Sequence, residues 1–197
     1  LDKRKFYING KWIEPTKKND FEVINPSNEE TFAVISLGSK ADIDLAVKVS
    51  KDAFESWKET TKEERIKLLE NLLSVYKKRF SEMTEAISKE MGAPMDWSSN
   101  VQNASGQAHL EDFIIRLKDF NFDKQFNSKS NNYIFYEAIG VCGLITPWNW
   151  PINQIALKVI PALSTGCTMI LKPSEIAPVS AMLFAEMIHE AGFPPGV

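Results

Sequence analysis

Two polar clusters follow two short apolar runs, and they form the part of the sequence best suited to chemistry. The first run, residues 141–145, ends at Thr-Pro-Trp-Asn (146–149), and the second, residues 168–171, ends at Lys-Pro-Ser-Glu (172–175). An amphipathic run at 152–163 separates them, so the order is strand, turn, helix, turn, strand. Because open α/β sheets bind ligands at the carboxyl ends of their strands, both clusters are predicted to lie at one binding edge.

Asn149 lies in the first of these turns, between Pro147 and Pro151, which stiffen the backbone around it. A side-chain amide held there can donate to an oxyanion, and loss of such a donor costs about 10²–10³ in rate. The alternative is a structural asparagine, either in the turn or as a helix N-cap, that bonds its own backbone. The structural interpretation is the commoner one, and these residues alone leave both open.

Lys172 and Glu175 place a cation and an anion after the second strand. Pro173 cannot donate to a strand ladder, so both side chains can leave the sheet edge. A carboxylate at this position suits a ribose diol and would repel a 2′-phosphate. The alternative is a surface ion pair of little energetic worth. Lys158, on the intervening helix, either faces solvent or contacts polar groups near the site.

Composition excludes several classes of partner and site. The net charge is -3 with no basic block, which argues against nucleic acid, and no apolar stretch approaches the roughly 18 residues of a membrane span. Cys142 and Cys167 form no disulfide framework, so both are predicted to be buried, inert thiols in a reducing, cytoplasmic protein. His109 and His189 have no metal-ligand spacing and are predicted to lie on helix surfaces.

The upstream chain reads as hairpins followed by helices. Asn9-Gly10 predicts a two-residue hairpin, and a second strand pair is expected at 21–24 and 31–37, both facing solvent. Capping signals at Ser39 and Thr61 begin two helices. Further helices are expected at 81–91, ended by Gly92, and at 97–118. The charges at 62–65 and 77–79 are interpreted as solvated helix faces.

A loop is predicted at 119–132, followed by a strand at 132–138 with apolar residues on both faces. Such a strand needs a partner on each face, for example another subunit. After the central βαβ unit a last helix is expected at 179–191. The predicted fold class is α/β: N-terminal β-hairpins and helices lead into a Rossmann-like parallel sheet. Two parallel strands are too few for a finished sheet, which predicts a part of a longer protein.

Several spaced motifs resemble the aldehyde dehydrogenase superfamily across essentially the whole chain. They are Tyr-Ile-Asn-Gly-Lys-Trp (7–12), Asn-Pro-Ser (25–27), Thr-Pro-Trp-Asn-Trp-Pro (146–151), Pro-Ala-Leu-Ser-Thr-Gly-Cys (161–167), Leu-Lys-Pro-Ser-Glu (171–175) and Glu-Ala-Gly-Phe-Pro-Pro-Gly-Val (190–197). The resemblance implies NAD(P)-dependent oxidation of an aldehyde to a carboxylic acid through a covalent thiohemiacetal.

The resemblance also implies roles for individual residues. Asn149 matches the amide that stabilises the oxyanion, and Lys158 matches a helix lysine with a supporting catalytic role. The cofactor-binding positions are Ile145, Thr146, Pro147 and Trp148 beside the nicotinamide, and Lys172, Ser174 and Glu175 at the adenine ribose. Glu175 matches the NAD-preferring form of the family, so NAD is expected over NADP, and no metal is implied.

The family's nucleophilic Cys, general-base Glu and glycine-rich phosphate turn have no matching positions in this chain. Residues 1–197 are therefore expected to be the N-terminal part of an NAD-binding domain, inactive alone, with an oligomerisation strand region at 119–140. The expected partners are a small-molecule aldehyde, not identified further, and copies of the chain in a homodimer or homotetramer. The alternatives are an inactive nucleotide-binding or assembly module, or an NADP-using or CoA-acylating member of the family.

Overall fold

The computed structural model describes residues 1–197, and the chain begins with five short strands. They are β1 (Asp2–Lys3), β2 (Phe6–Ile8), β3 (Lys11–Ile13), β4 (Asp20–Asn25) and β5 (Glu30–Ser36). β2 and β3 form the predicted hairpin, with Asn9 and Gly10 at φ 54° and 72°, as a two-residue turn with two positive φ angles requires. The other three strands form a sheet in the order β1-β5-β4.

Five helices follow, with bounds close to those expected. They are α1 (Lys40–Trp57), α2 (Lys62–Lys78), α3 (Phe80–Met91), α4 (Met95–Trp97) and α5 (Ala104–Asp119), with a π-helical segment at Ser98–Asn103. Thr61 and Glu64 form the predicted capping box, and Gly92 ends α3 at φ 74°. The π segment interrupts the helix expected at 97–118. At its end the buried Asn103 amide donates to the Phe80 carbonyl and the Thr84 hydroxyl, at 2.7 and 2.8 Å.

The capping signal at the start of α1 is also confirmed, and it ties the helix to the N-terminal strands. The buried Asp42 carboxylate accepts from the backbone N–H and hydroxyl groups of both Ser39 and Thr16, at 2.6 to 2.8 Å. Burial opposes the charge, but these four donors outweigh it and lower the pKa of Asp42 well below its usual range.

Two expectations about solvent exposure are wrong. The second strand pair does not face solvent, since Val23, Ala33 and Ile35 of β4 and β5 belong to the main core. Arg65 is not on a solvated helix face: its side chain is buried, and its guanidinium lies over the Phe122 ring, 5.0 Å from the ring centre. Both errors have one cause, because tertiary packing covers surfaces that local periodicity leaves undecided.

The region predicted as a loop contains a strand. β6 (Asp123–Gln125) pairs antiparallel with β7 (Tyr133–Phe135), which is shorter than the expected 132–138. β6 is exposed along its whole length, so it carries no apolar alternation that would have revealed it. Tyr133, Phe135 and Ile139 are 58%, 68% and 88% exposed, so the apolar faces of this region are uncovered in the single chain.

The C-terminal part is the predicted βαβα unit. It consists of β8 (Val141–Ile145), α6 (Pro151–Ser164), β9 (Thr168–Lys172) and α7 (Val179–Glu190). β8 and β9 are parallel, with Val141 opposite Thr168 and Ile145 opposite Lys172. The apolar side chains of α2, α5, α6 and α7 pack into one core with β4 and β5, which gives a mixed α/β fold as predicted. No helix has both the length and the apolar character needed to cross a membrane.

Candidate functional site

The parallel pairing of β8 and β9 brings the two polar clusters to one edge of the sheet. Ile145 and Lys172 are direct partners in the ladder, and the next backbone N–H, that of Thr146, donates to the Lys172 carbonyl at 3.2 Å. Both strands end at the same level because of this register. The segments 146–149 and 173–175 therefore leave the sheet side by side, as the sequence predicts.

Asn149 lies in the turn between β8 and α6. The N-cap position of α6 is occupied by Trp150, and no side chain caps the helix, so the interpretation of Asn149 as a helix N-cap is wrong. Asn149 is exposed to solvent. Its amide is therefore accessible to an acceptor that comes from outside this segment.

The four residues before Asn149 divide into two kinds. Ile145, Pro147 and Trp148 are exposed, whereas Thr146 is only 4% exposed and is anchored to β9 through its backbone. The exposed members could contact a flat ligand across the strand end, and Thr146 fixes the turn that carries them. Their predicted role beside a nicotinamide ring stays a prediction.

Lys172 and Glu175 form an ion pair at the end of β9. The Lys172 ammonium and a Glu175 carboxylate oxygen are 3.0 Å apart, and the two side chains are 56% and 42% exposed. The backbone N–H of Glu175 and the Lys172 ammonium lower the pKa of the Glu175 carboxyl, so it is ionised at neutral pH. At this exposure the pair adds little stability, and both groups remain available to a ligand.

A cleft of about 340 Å³ adjoins this pair. Its lining includes Lys172, Pro173 and Glu175 together with Pro178 and Met182 beyond them, and most of the other lining residues are apolar. Ser174 turns toward its own backbone, since its hydroxyl accepts from the Ile176 N–H at 3.3 Å. An ion pair in the lining of a mostly apolar cleft can hold a polar group of a ligand while a flat apolar part is covered.

Lys158 is not brought into this cluster. Its ammonium lies 3.4 Å from the Gln154 carbonyl and 3.3 Å from the Gln154 side-chain oxygen, one turn back along α6. The side chain is therefore bonded within its own helix. A supporting catalytic role for Lys158 stays a prediction that these contacts do not favour.

The two thiols and the two imidazoles make no hydrogen bond to the residues at the ends of β8 and β9. Cys167 is buried as expected, whereas Cys142 is only half-buried. Desolvation is the main cause that raises the pKa of Cys142, and the neighbouring Cys167 adds to the effect. His189 is exposed and lies 3.0 Å from the Tyr7 hydroxyl, whereas His109 is half-buried and lies 2.7 Å from the Asn153 side-chain oxygen. No group of three or more His, Cys, Asp or Glu side chains could hold a metal ion.

An acidic residue beyond the carboxyl end of a parallel strand is typical of nucleotide-binding α/β proteins. The model of the aldehyde dehydrogenase family matches residues 12–197. The chain belongs to this family, and the resemblance inferred from the sequence motifs is confirmed.

Individual relatives agree with this assignment. A 3-succinoylsemialdehyde-pyridine dehydrogenase from Pseudomonas sp. is 46% identical over 197 residues, covering 100% of this chain and 41% of that protein. An aldehyde dehydrogenase from Bartonella henselae superposes with a TM-score of 0.98 at 54% identity, covering 100% of this chain and 41% of that one. Aldehyde dehydrogenase C from Pseudomonas syringae, solved with NAD+ and octanal, superposes with a TM-score of 0.94 at 41% identity, covering 98% and 39%. The chain thus spans about two fifths of the length of the relatives it matches.

Proposed function

We propose that the intact protein oxidises an aldehyde to a carboxylic acid with NAD, and that residues 1–197 form the N-terminal part of its NAD-binding domain. The observation that carries the proposal is the shared strand edge, where the register of β8 and β9 places the Asn149 turn beside Lys172 and Glu175. The similar structure solved with NAD+ and octanal supports both the cofactor and the substrate class.

The residues at the end of β9 fit a dinucleotide without a 2′-phosphate. Glu175 presents an ionised carboxylate that can accept from a ribose diol, and Lys172 can donate to the same sugar. The adjoining cleft of about 340 Å³ offers apolar surface beside that pair. When bound, NAD accepts a hydride from the substrate carbon. Ile145 and Trp148, exposed at the end of β8, are proposed to border its nicotinamide.

Asn149 is proposed to donate its side-chain N–H to the substrate oxygen when a thiolate attacks the aldehyde. This donation stabilises the negative charge of the thiohemiacetal, and the stiff turn between Pro147 and Pro151 orients the amide beforehand. The thiolate and the carboxylate that activates the deacylating water have no counterpart within residues 1–197. The segment alone is therefore proposed to be inactive. Its own contribution is to position the cofactor and to polarise the substrate aldehyde.

Glu175→Gln tests the cofactor assignment. In the intact enzyme we expect the Kd for NAD to rise about tenfold, because a charge-assisted hydrogen bond to the ribose is weakened. Affinity for NADP should fall less or improve, since the repulsion of its 2′-phosphate is removed. Fluorescence titration with each dinucleotide measures both, with the exposed Glu59→Gln as the matched control. A wild-type enzyme that prefers NADP would contradict the assignment.

The region 119–140 is proposed to associate with another subunit. Its support is the uncovered apolar surface of Tyr133, Phe135 and Ile139, which lie on and after β7. Natural sheets normally protect an edge strand of this kind. We expect the intact protein to sediment as a dimer or tetramer. Sedimentation of the intact protein as a monomer at micromolar concentration would contradict this proposal.

A further inference from the structure

Glu90 is a buried carboxylate that the proposed reaction does not use. It lies in the last turn of α3 and is only 1% exposed, and no lysine, arginine or histidine pairs with it. An unpaired buried charge is costly, and the carboxyl end of a helix disfavours an acidic side chain. Glu90 is therefore unfavourable both as a buried acid without a cationic partner and as an acid at the carboxyl end of a helix. A residue kept in such a position has a specific role.

The partners of Glu90 are at the start of another helix. Its carboxylate accepts from the Val179 N–H at 2.5 Å and from the Ser180 N–H at 3.1 and 3.2 Å. These are the first two residues of α7, whose own N-cap residue, Pro178, offers no side-chain cap. Glu90 therefore acts as the N-cap that α7 lacks, supplied from a helix 89 residues earlier in the chain.

This contact is one of two hydrogen-bonded attachments that flank the segment between β9 and α7. At one end the Lys172 carbonyl accepts from Thr146 in the β8–β9 ladder, and at the other end Glu90 binds the first amides of α7. Glu175 lies between these two attachments. A change at either attachment is therefore expected to shift the Glu175 carboxylate relative to the cleft.

We propose that Glu90 is a positioning residue of the nucleotide site: by fixing the start of α7, its carboxylate holds Lys172 and Glu175 in the geometry that binds the adenine ribose. The inference rests on the proposed function, because it assumes that the Lys172–Glu175 pair contacts NAD.

The protonation state of Glu90 offers a way to test this role. Burial raises the pKa of Glu90 to about 7, although the hydrogen bonds from Ser180 and Val179 act in the opposite direction. No charged side chain contributes to this rise in the pKa of Glu90. On α3, the exposed Glu85 and Lys89 pair with each other, and Glu186 of α7 pairs with Arg79 after α2. Asp96 of α4 and Glu22 of β4 are exposed to solvent. Near neutral pH the group therefore changes between a strong, charged acceptor and a weaker, neutral one.

Stability and positioning should respond to pH in opposite directions. Because the folded-state pKa lies above the ordinary value, the stability that Glu90 contributes is present at low pH and is lost as pH rises through 7. The hydrogen bonds that Glu90 accepts from the α7 amides, in contrast, become stronger as the carboxylate ionises. A purely structural role would change stability with pH and leave the Kd of the folded protein for NAD unchanged, whereas positioning makes NAD affinity rise with pH.

The test is Glu90→Gln in the intact enzyme, with the Kd for NAD measured by calorimetry between pH 6 and 8.5. At pH 8 we expect a Kd about fivefold above wild type, because neutral hydrogen bonds replace charge-assisted ones. The wild-type Kd should rise on acidification and converge on that of the variant, whose profile stays flat. Glu85→Gln, an exposed change on the same helix, should behave as wild type.

Equal Kd values for wild type and Glu90→Gln at pH 8, or parallel pH profiles, would overturn the inference. If Glu175→Gln weakens NAD binding and Glu90→Gln does not, only the positioning role fails; if Glu175→Gln has no effect, the proposed nucleotide site itself fails. Should Glu90→Gln not fold, the wild-type protein carries the test through hydrogen exchange. Protection of the Val179 and Ser180 amides and NAD affinity should then fall together below pH 7, and protection that stays constant would overturn the proposal.

Discussion

Asn149→Ala is expected to lower kcat of the intact enzyme by about 10²–10³, with less than about a twofold change in the Kd for NAD. The reason is that an oxyanion donor acts where charge develops, in the transition state, and contributes little to binding of the cofactor. The structure favours this result, because the Asn149 side chain is exposed and does not cap α6. Its removal therefore leaves no capping bond unmade in the fold.

Steady-state kinetics and NAD titration separate the two effects of Asn149→Ala. Asn100→Ala, an exposed asparagine in the π-helical segment, is the matched control and should keep wild-type kcat. An Asn149→Ala enzyme with unchanged kcat would return Asn149 to the role of a turn residue. A loss of NAD affinity as large as the loss of kcat would instead indicate that the turn itself had collapsed.

Gly106→Ala is expected to destabilise the protein by about 1–3 kcal/mol, despite the roughly 1 kcal/mol that alanine gains over glycine in a helix. A Cβ at this buried position of α5 would lie 2.5 Å from the Tyr76 hydroxyl oxygen and 2.8 Å from Cγ1 of Ile152. Tyr76 cannot retreat freely, because its hydroxyl donates to the Asn103 carbonyl at 3.1 Å and also bonds the Asn103 side chain. α5 and α6 must therefore move apart.

Thermal unfolding measures this effect, and for a protein of this size each kcal/mol lowers Tm by roughly 2–4 °C. Gly143→Ala is the matched control, since a Cβ there would meet no atom within 4 Å. Because Ile152 follows Asn149 closely at the start of α6, the Gly106→Ala enzyme should also lose kcat. A Tm equal to that of wild type would show that α5 and α6 are less tightly packed than these distances indicate.

Local sequence signals predict the elements that carry the site. Val141–Ile145, the helix that follows it and the strand before Lys172 occur where hydrophobic period and turn residues place them. The capping boxes at Ser39 and Thr61 are also predictable from local sequence, because a cap is complete within four residues. Signals of this kind need no knowledge of distant segments. β6 and the π-helical turn carry no such signal, since exposed polar residues and buried asparagines fit several backbone conformations.

Burial of charged groups could not be predicted from local patterns. Arg65 and Glu90 both lie on amphipathic helices, yet each is covered by segments far away in the chain: Phe122 in one case and the start of α7 in the other. For Glu90 there was one usable signal, an acid in the last turn of a helix, where the helix dipole disfavours it. That signal marks an anomaly without naming the partner.

The amino-acid pattern is sufficient to predict the family, the order of strands and helices at 140–190, and the residue types at both strand ends. These depend on short-range periodicity and on motifs whose spacing is written in the chain. The three-dimensional packing was needed to establish that Ile145 pairs with Lys172, that α6 begins without a cap from Asn149, and that Glu90 binds the first amides of α7. Register and buried hydrogen bonds depend on which distant segments meet, because the cost of an unpaired buried polar group selects among packings that local patterns permit equally.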